Sequence, residues 1–168
     1  MNTLSQSSGM GASALQVCIL CATRTTETLK ATWKEIDLDK ALWVIPANRM
    51  KGKKEHKIPL STQAVAKLRE LEQLRISEYV FPNLSNDKYL SQAGTSSVLK
   101  RLSKNSEWRD KQGRNISVHG FRSTFRDYIA DKTMFDGAMA EHALAHKIPD
   151  ASVAAYHRTT MVEKRRAM

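Results

Sequence analysis

A mainly helical α+β domain with one small antiparallel sheet is the fold class predicted here, on three observations. Apolar residues recur at helical spacing in several segments from Ala14 onward. Between them lie two short runs rich in β-branched and aromatic residues, "ALWVIPA" and "HKIPLS", separated by the polar, Gly-containing "NRMKGKKE". A chain of 168 residues, 41% of them hydrophobic, is long enough for one domain with a sizeable core and too short for two.

The elements follow in order. Residues 1–11 are Ser- and Gly-rich and are expected to be a frayed or disordered tail, leaving one domain over residues 12–168. Leu15, Val17, Cys18, Ile19, Leu20 and Ala22 predict a well-buried helix from Ala14 to about Arg24, and "TTETLKATW" a second short helical segment. The two β-type runs predict two or three strands joined through a basic hairpin tip. Ser61 is placed to cap a helix whose inward positions are Val65, Leu68, Leu71 and Leu74. "YVFPN" reads as a short extended piece and "SSVLKRLSK" as another helix, followed by the polar loop "NSEWRDKQGRNIS". Three helical runs remain, one from about Val118, one around "GAMAEHALAHK" and one around "DASVAAYHR".

Charge narrows the function classes. A net charge of +10 and a pI near 9.8 favour a polyanionic partner, nucleic acid before a membrane surface, against the plainer reading of a solvated basic surface. The longest apolar run, "ALQVCILCA", is far short of the ~20 residues a spanning helix needs. The amino terminus lacks the basic and apolar regions of a secretory signal, so a cytoplasmic setting is expected. Cys18 and Cys21 form a lone C-x-x-C inside an apolar run. Without a second ligand pair, a buried, reduced and structural pair is expected rather than zinc or redox chemistry.

Four places concentrate polar side chains beyond what packing requires. Arg24 and Glu27 in "ATRTTE" stand three apart. Either they are a plain ion pair, or Glu27 holds the guanidinium so that it can fork onto a phosphate. Lys51, Lys53, Lys54 and Lys57 line "MKGKKEHK", as a solvated hairpin tip or as a track for a nucleic-acid backbone. In "VHGFRSTFRDYIA", helical spacing sets His119, Arg122 and Arg126 opposite Phe121, Phe125, Tyr128 and Ile129. A face of imidazole and guanidinium with no carboxylate among them calls for an anion. Finally, His142 and His146 stand four apart in "EHALAHK", ten residues before Tyr156. Ala143 occupies the place of a zinc hydrolase's Glu, so a metal pair is disfavoured.

In order, these signals read Arg-x-x-Glu, a Lys at a β-hairpin, His-x-x-Arg, and then a His with a Tyr ten residues later. That is the motif order of the tyrosine recombinases. The stretches "ATRTTETLKATWKEIDLDKALWVIPANRMKGKKEHKIPLS", "HGFRSTFRDYIADK" and "ALAHKIPDASVAAYHR" resemble the phage-integrase branch of that family, from about Ala14 onward. The resemblance implies the family's catalytic-domain fold with a three-stranded antiparallel sheet. It implies Arg24 and Arg122 as phosphate-clamping arginines, Lys51 as the hairpin lysine, His119 and His146 as the two histidines, and Tyr156 as the nucleophile. Glu27 would support Arg24, and His142 would be structural. Lys53, Lys54 and Lys57 are expected to contact DNA, and Arg126 to contact the DNA backbone or form an ion pair.

The implied reaction is metal-free and cofactor-free cleavage and rejoining of duplex DNA in site-specific recombination, the integration chemistry of phages, prophages and other mobile genetic elements. The Tyr156 oxygen would attack a phosphodiester, leaving a 3′-phosphotyrosine and a 5′-hydroxyl. His119 would take the tyrosine's proton, Lys51 would protonate the leaving oxygen, and His146 would bond the phosphate. Type IB topoisomerases share the chemistry but fit the motif wording less well. Thr26 departs from the Gly often found between the first Arg and its acidic partner. The family's core-binding and arm-binding domains are missing from this sequence, which is therefore expected to be an isolated, monomeric catalytic domain of a protein that acts on DNA as a tetramer. A non-catalytic DNA-binding remnant is the alternative.

Overall fold

Two helices open the chain, α1 (Asn2–Ser5) and α2 (Met10–Leu20). In the computed structural model, residues 2–83, 85, 88–104, 109, 112–146 and 161–168 are described. Helix α2 is apolar around its circumference, so it must be enclosed rather than laid on a surface. Its Ala14 and Val17 face a large core with Trp43, Ile45, Ile58, Leu68 and Phe81. Ala12 and Leu15 face a second cluster with Leu4, Val98 and Leu99. Buried Gln16 is satisfied by donating from Nε2 to the Leu4 carbonyl at 2.8 Å.

These contacts correct the expected frayed tail. Residues 2–11 carry helix α1 and the start of α2, and Leu4 is buried. Ser and Gly set a low local propensity there, but burial of a leucine contributes about 2 kcal/mol and overrides it.

After α2 come α3 (Thr25–Leu29), a 3-10 turn at Trp33–Glu35, and a sheet of three antiparallel strands. The strands are β1 (Ile36–Asp37), β2 (Leu42–Ile45) and β3 (His56–Pro59), in the order β1-β2-β3. Trp43 pairs with Ile36 on one side and Ile58 on the other, and Ile45 pairs with His56. Alternation puts Trp43 and Ile45 inward while Leu42 and Val44 are half-buried.

Helix α4 (Thr62–Gln73) begins as expected, with Ser61 Oγ accepting from the Ala64 N–H at 3.2 Å. Its inward stripe is Ala64, Leu68 and Leu71, with Val65 half-buried. Leu74 lies past the helix end and is exposed. The extended "YVFPN" proves to be one arm of a small hairpin, β4 (Pro82–Asn83) with β5 (Lys88–Tyr89). Helix α5 (Gln92–Lys104) crosses α2 so closely that a Cβ on Gly11 would sit 2.8 Å from the Gly94 carbonyl oxygen.

The functional half contains α6 (Gly120–Lys132), α7 (Gly137–Ala143) and a last short helix, α8 (Val162–Arg165), packed against β3. The expected helix around "DASVAAYHR", including Tyr156, lies outside the described residues. Among the described residues, no helix is long and apolar enough to cross a membrane.

Cys18 and Cys21 are unpaired and buried, and burial pushes both thiols up, that of Cys21 to about 12. A thiol held up this far has almost no thiolate at neutral pH. Neither cysteine is expected to be alkylated in the native protein, and both after denaturation, as read by intact mass. Rapid native alkylation would contradict the buried pair.

Candidate active site

The two helices that lead into Arg24 and His146, α2 and α7, end in the same way. At the end of α2, the Ala22 N–H bonds the Ile19 carbonyl at 3.1 Å and the Thr23 N–H bonds that of Cys18 at 3.2 Å. At the end of α7, the Ala145 N–H bonds His142 at 3.1 Å and the His146 N–H bonds Glu141 at 3.0 Å. Each is a Schellman closure with an alanine in the left-handed position, at φ 49 for Ala22 and φ 48 for Ala145. Arg24 leaves the first corner and His146 the second.

An alanine there costs roughly 1–2 kcal/mol, against about 0.5–1 for the extra chain entropy of glycine. Ala145→Gly is therefore expected to raise the thermal midpoint by about 2 °C. A fall in the midpoint would contradict the assigned corner geometry.

Arg24 forms the N-cap of α3. Glu27 accepts from the Arg24 backbone N–H at 2.7 Å through Oε2 and from its Nη1 at 2.7 Å through Oε1. The carboxylate side chain is 4% exposed and the arginine 25%, so a buried anion fixes a cation that still reaches solvent. Behind them, the Thr23 and Thr28 hydroxyls are bonded and Cys18 Sγ donates to the Thr23 carbonyl at 3.4 Å.

Arg122 corrects the expected face pattern of α6. It is not on an outer polar face: it shares the inward stripe with Ile129, seven residues on, while Tyr128 is 56% exposed. Phe121 and Phe125 are half-buried. The guanidinium is accommodated inside because Nη1 donates to the Ala22 carbonyl and Nη2 to that of Leu144, at the two Schellman corners. Burial, and next the charge of Arg24, hold its pKa below the usual arginine value.

His146 lies 3.3 Å from Arg122 Nη2 through Nε2 and 2.7 Å from Glu141 Oε2 through Nδ1. Arginine can only donate, so Nε2 accepts and Nδ1 carries the proton given to Glu141. Glu141 Oε1 in turn pairs with Arg126 Nε at 2.9 Å. Of the two roles expected for Arg126, the ion pair is the one the geometry displays.

Arg24, Glu27, Arg122 and His146 thus form one cluster. Lys51, Lys53 and Lys54 are exposed in the turn after buried Met50, and Lys57 is half-buried on β3, 3.6 Å from Glu55. His119 is exposed at the start of α6. Tyr156 lies outside the described residues. His142 is half-buried, and no group of three or more His, Cys, Asp and Glu side chains among the described residues could hold a metal ion.

Three residues escaped sequence reasoning. Glu141 orients His146, Arg49 braces the base of the lysine turn, and His56 on β3 bonds the Ala143 carbonyl through Nε2 at 3.2 Å. Burial and, next, Arg165 push the His56 pKa down to about 4, so this imidazole is neutral at pH 7.

Known proteins resemble this chain in sequence and in fold. The phage integrase family model matches residues 1–162. Prophage integrase IntZ of Escherichia coli (strain K12) is 31% identical over 156 residues, 92% of this chain and 37% of the relative. The integrase of Enterobacteria phage P4 is 30% identical over 170 residues, again 92% and 37%. The chain therefore spans little more than a third of these relatives. In fold, it resembles the XerH site-specific recombinase bound to its difH substrate, with a TM-score of 0.68 at 16% identity, over 99% of this chain and 49% of that one. A lambda integrase tetramer bound to a Holliday junction gives a TM-score of 0.64 at 17% identity, over 92% and 44%.

Proposed function

The chain belongs to the phage integrase family, and from that premise we propose that it is the strand-cleaving catalytic domain of a site-specific recombinase acting on duplex DNA. One observation carries the proposal. Arg122 is a buried cation beside Arg24, and among the described residues it forms no ion pair, only bonds to two carbonyls and His146. Two cations held together at the cost of burial are stabilised by an incoming anion. A phosphodiester fits the fork geometry of guanidinium.

The cleavage step balances without a cofactor. Tyr156 Oη attacks phosphorus, forming the 3′-phosphotyrosine bond while the bond to the 5′-oxygen breaks. The phenolic proton passes to His119, the exposed histidine at the start of α6, and the Lys51 ammonium gives a proton to the departing 5′-oxygen. Arg24, Arg122 and His146 stabilise the charge that gathers on the non-bridging oxygens, which is usually the largest single contribution. For His146 to donate there, its Nε2 must release Arg122 and present an N–H, while Nδ1–H keeps its bond to Glu141. Lys53, Lys54 and Lys57 add backbone contacts that weaken with salt. Acting on DNA, the recombinase would assemble as a tetramer, as the lambda integrase bound to a Holliday junction does.

Covalent capture tests the proposal. Random-sequence duplexes with 5′-bridging phosphorothiolates, incubated with the protein in EDTA, are expected to yield an adduct on denaturing gels. Salt-sensitive binding without any adduct would instead mark a non-catalytic DNA-binding remnant.

A further inference from the structure

Arg49 is a charged side chain, largely buried, in a stretch that otherwise reads as a basic turn. Its side chain is 16% exposed, and its partner Glu35 is 8% exposed. Nη1 donates to Glu35 Oε2, and the same oxygen accepts from Trp43 Nε1 at 3.0 Å. Trp43 itself is fully buried in the sheet, which fixes the carboxylate from below. The other arm, Nη2, donates to the backbone carbonyl of Glu27.

Glu27 is the residue whose carboxylate holds Arg24 by two hydrogen bonds. Arg49 therefore bonds the main chain of the very residue that fixes the first arginine. It also sits at the end of the 3-10 turn Ala47–Arg49, directly before buried Met50 and exposed Lys51. Beyond Met50 the chain turns with the Lys53 N–H bonded to the Met50 carbonyl at 3.0 Å and Lys53 in the left-handed region at φ 51. The Arg49 fork, together with Met50 buried in the core, sets the base of the lysine turn against the arginine corner. A planar five-donor group spans a carboxylate and a carbonyl on different elements in one fixed geometry, which the freely rotating lysine ammonium does not impose.

We infer that Arg49 is a positioning residue for proton delivery, holding the turn that presents Lys51 at a fixed distance from the Arg24–Glu27 corner. The inference rests on the phosphotyrosine reading. It differs from a general structural role in one consequence. A displaced Lys51 impairs protonation of the leaving 5′-oxygen, whereas attack by Tyr156 and charge stabilisation by the arginines continue.

The leaving group separates the two cases. On an ordinary phosphodiester, the departing alkoxide needs a proton. On a 5′-bridging phosphorothiolate, the phosphorus–sulfur bond breaks to give a thiolate that leaves without one. Initial rates of covalent adduct formation would be measured on two otherwise identical pools of nicked, random-sequence duplexes, for the parent, Lys51→Ala, Arg49→Gln and Arg49→Lys, with Tyr156→Phe as the control.

The expected result is that Lys51→Ala and both Arg49 variants lose roughly tenfold to 10²-fold on the phosphodiester and keep a rate within about threefold of the parent on the phosphorothiolate. Arg49→Lys leaves a cation beside Glu35, so it decides the matter if Arg49→Gln does not fold. Equal losses on both pools, or no loss on the phosphodiester, would overturn the inference while leaving the phosphotyrosine reading intact. A parent adduct that persists in Tyr156→Phe would overturn that reading, and the inference with it.

Discussion

Replacing Arg122 by lysine is expected to slow covalent adduct formation by roughly 10²–10³-fold, the size of effect seen when one donor to a developing oxyanion is lost. Charge alone does not rescue the site, because an ammonium cannot reach the Ala22 carbonyl, the Leu144 carbonyl and His146 together. The same substitution is expected to lower stability. A buried carbonyl left without its donor costs about 1–3 kcal/mol, and two are at stake. The ammonium keeps the buried charge beside Arg24 and is the more strongly hydrated ion, so nothing offsets this loss, which is about 2–3 kcal/mol in all. Urea unfolding at pH 7 reads the second effect and capture kinetics the first. A lysine variant with a rate within about threefold of the parent would show that Arg122 serves only to tie the two helix ends.

Acidification is expected to destabilise the fold through His56. In the native chain its pKa lies at about 4, because burial and, next, Arg165 disfavour the imidazolium, with Arg122 adding a smaller push against Glu27 and the Ala143 carbonyl. The unfolded chain has the ordinary value near 6.5. Above pH 6.5 both states are neutral and this group costs nothing. As pH falls from about 6.5 to about 4, the unfolded state takes up the proton and the native state does not. Stability is then lost at about 1.4 kcal/mol per pH unit, roughly 3 kcal/mol in all. His56→Gln keeps a donor for the Ala143 carbonyl and removes the titration. Its stability between pH 6.5 and 4 should decline less than the parent's by about that amount. Parallel declines would show that His56 is not the buried neutral group described.

How much of this was legible depends on where each signal originates. Arg24, Glu27, Arg122, His146 and the lysine turn could be read as ordered motifs, and the strand runs around Trp43 and Ile58 gave the sheet. The inward position of Arg122 could not be read, since its acceptors come from Ala22, a hundred residues earlier, and Leu144. Periodicity alone places an arginine on the polar face of a helix. The two Schellman corners carry no glycine, so their usual local signal is missing at Ala22 and Ala145. Leu4 looked like part of a polar tail because its partners Val98 and Leu99 are distant in the chain. The β4–β5 hairpin has strands of two residues each, too short for alternation to register. Arg49 and His56 were hidden inside a run whose charge suggested solvent. Their burial follows from Glu35, Glu27 and Ala143, all supplied by other elements.

The residue that becomes attached to DNA identifies the nucleophile. Adducts captured in EDTA on phosphorothiolate duplexes would be digested with nuclease and protease, and the modified peptide located by mass spectrometry. The expected result is a single 3′-nucleotidyl phosphate on the peptide containing Tyr156, and no adduct from Tyr156→Phe despite retained salt-sensitive binding. Attachment at any other residue, or an adduct of equal yield from Tyr156→Phe, would contradict it.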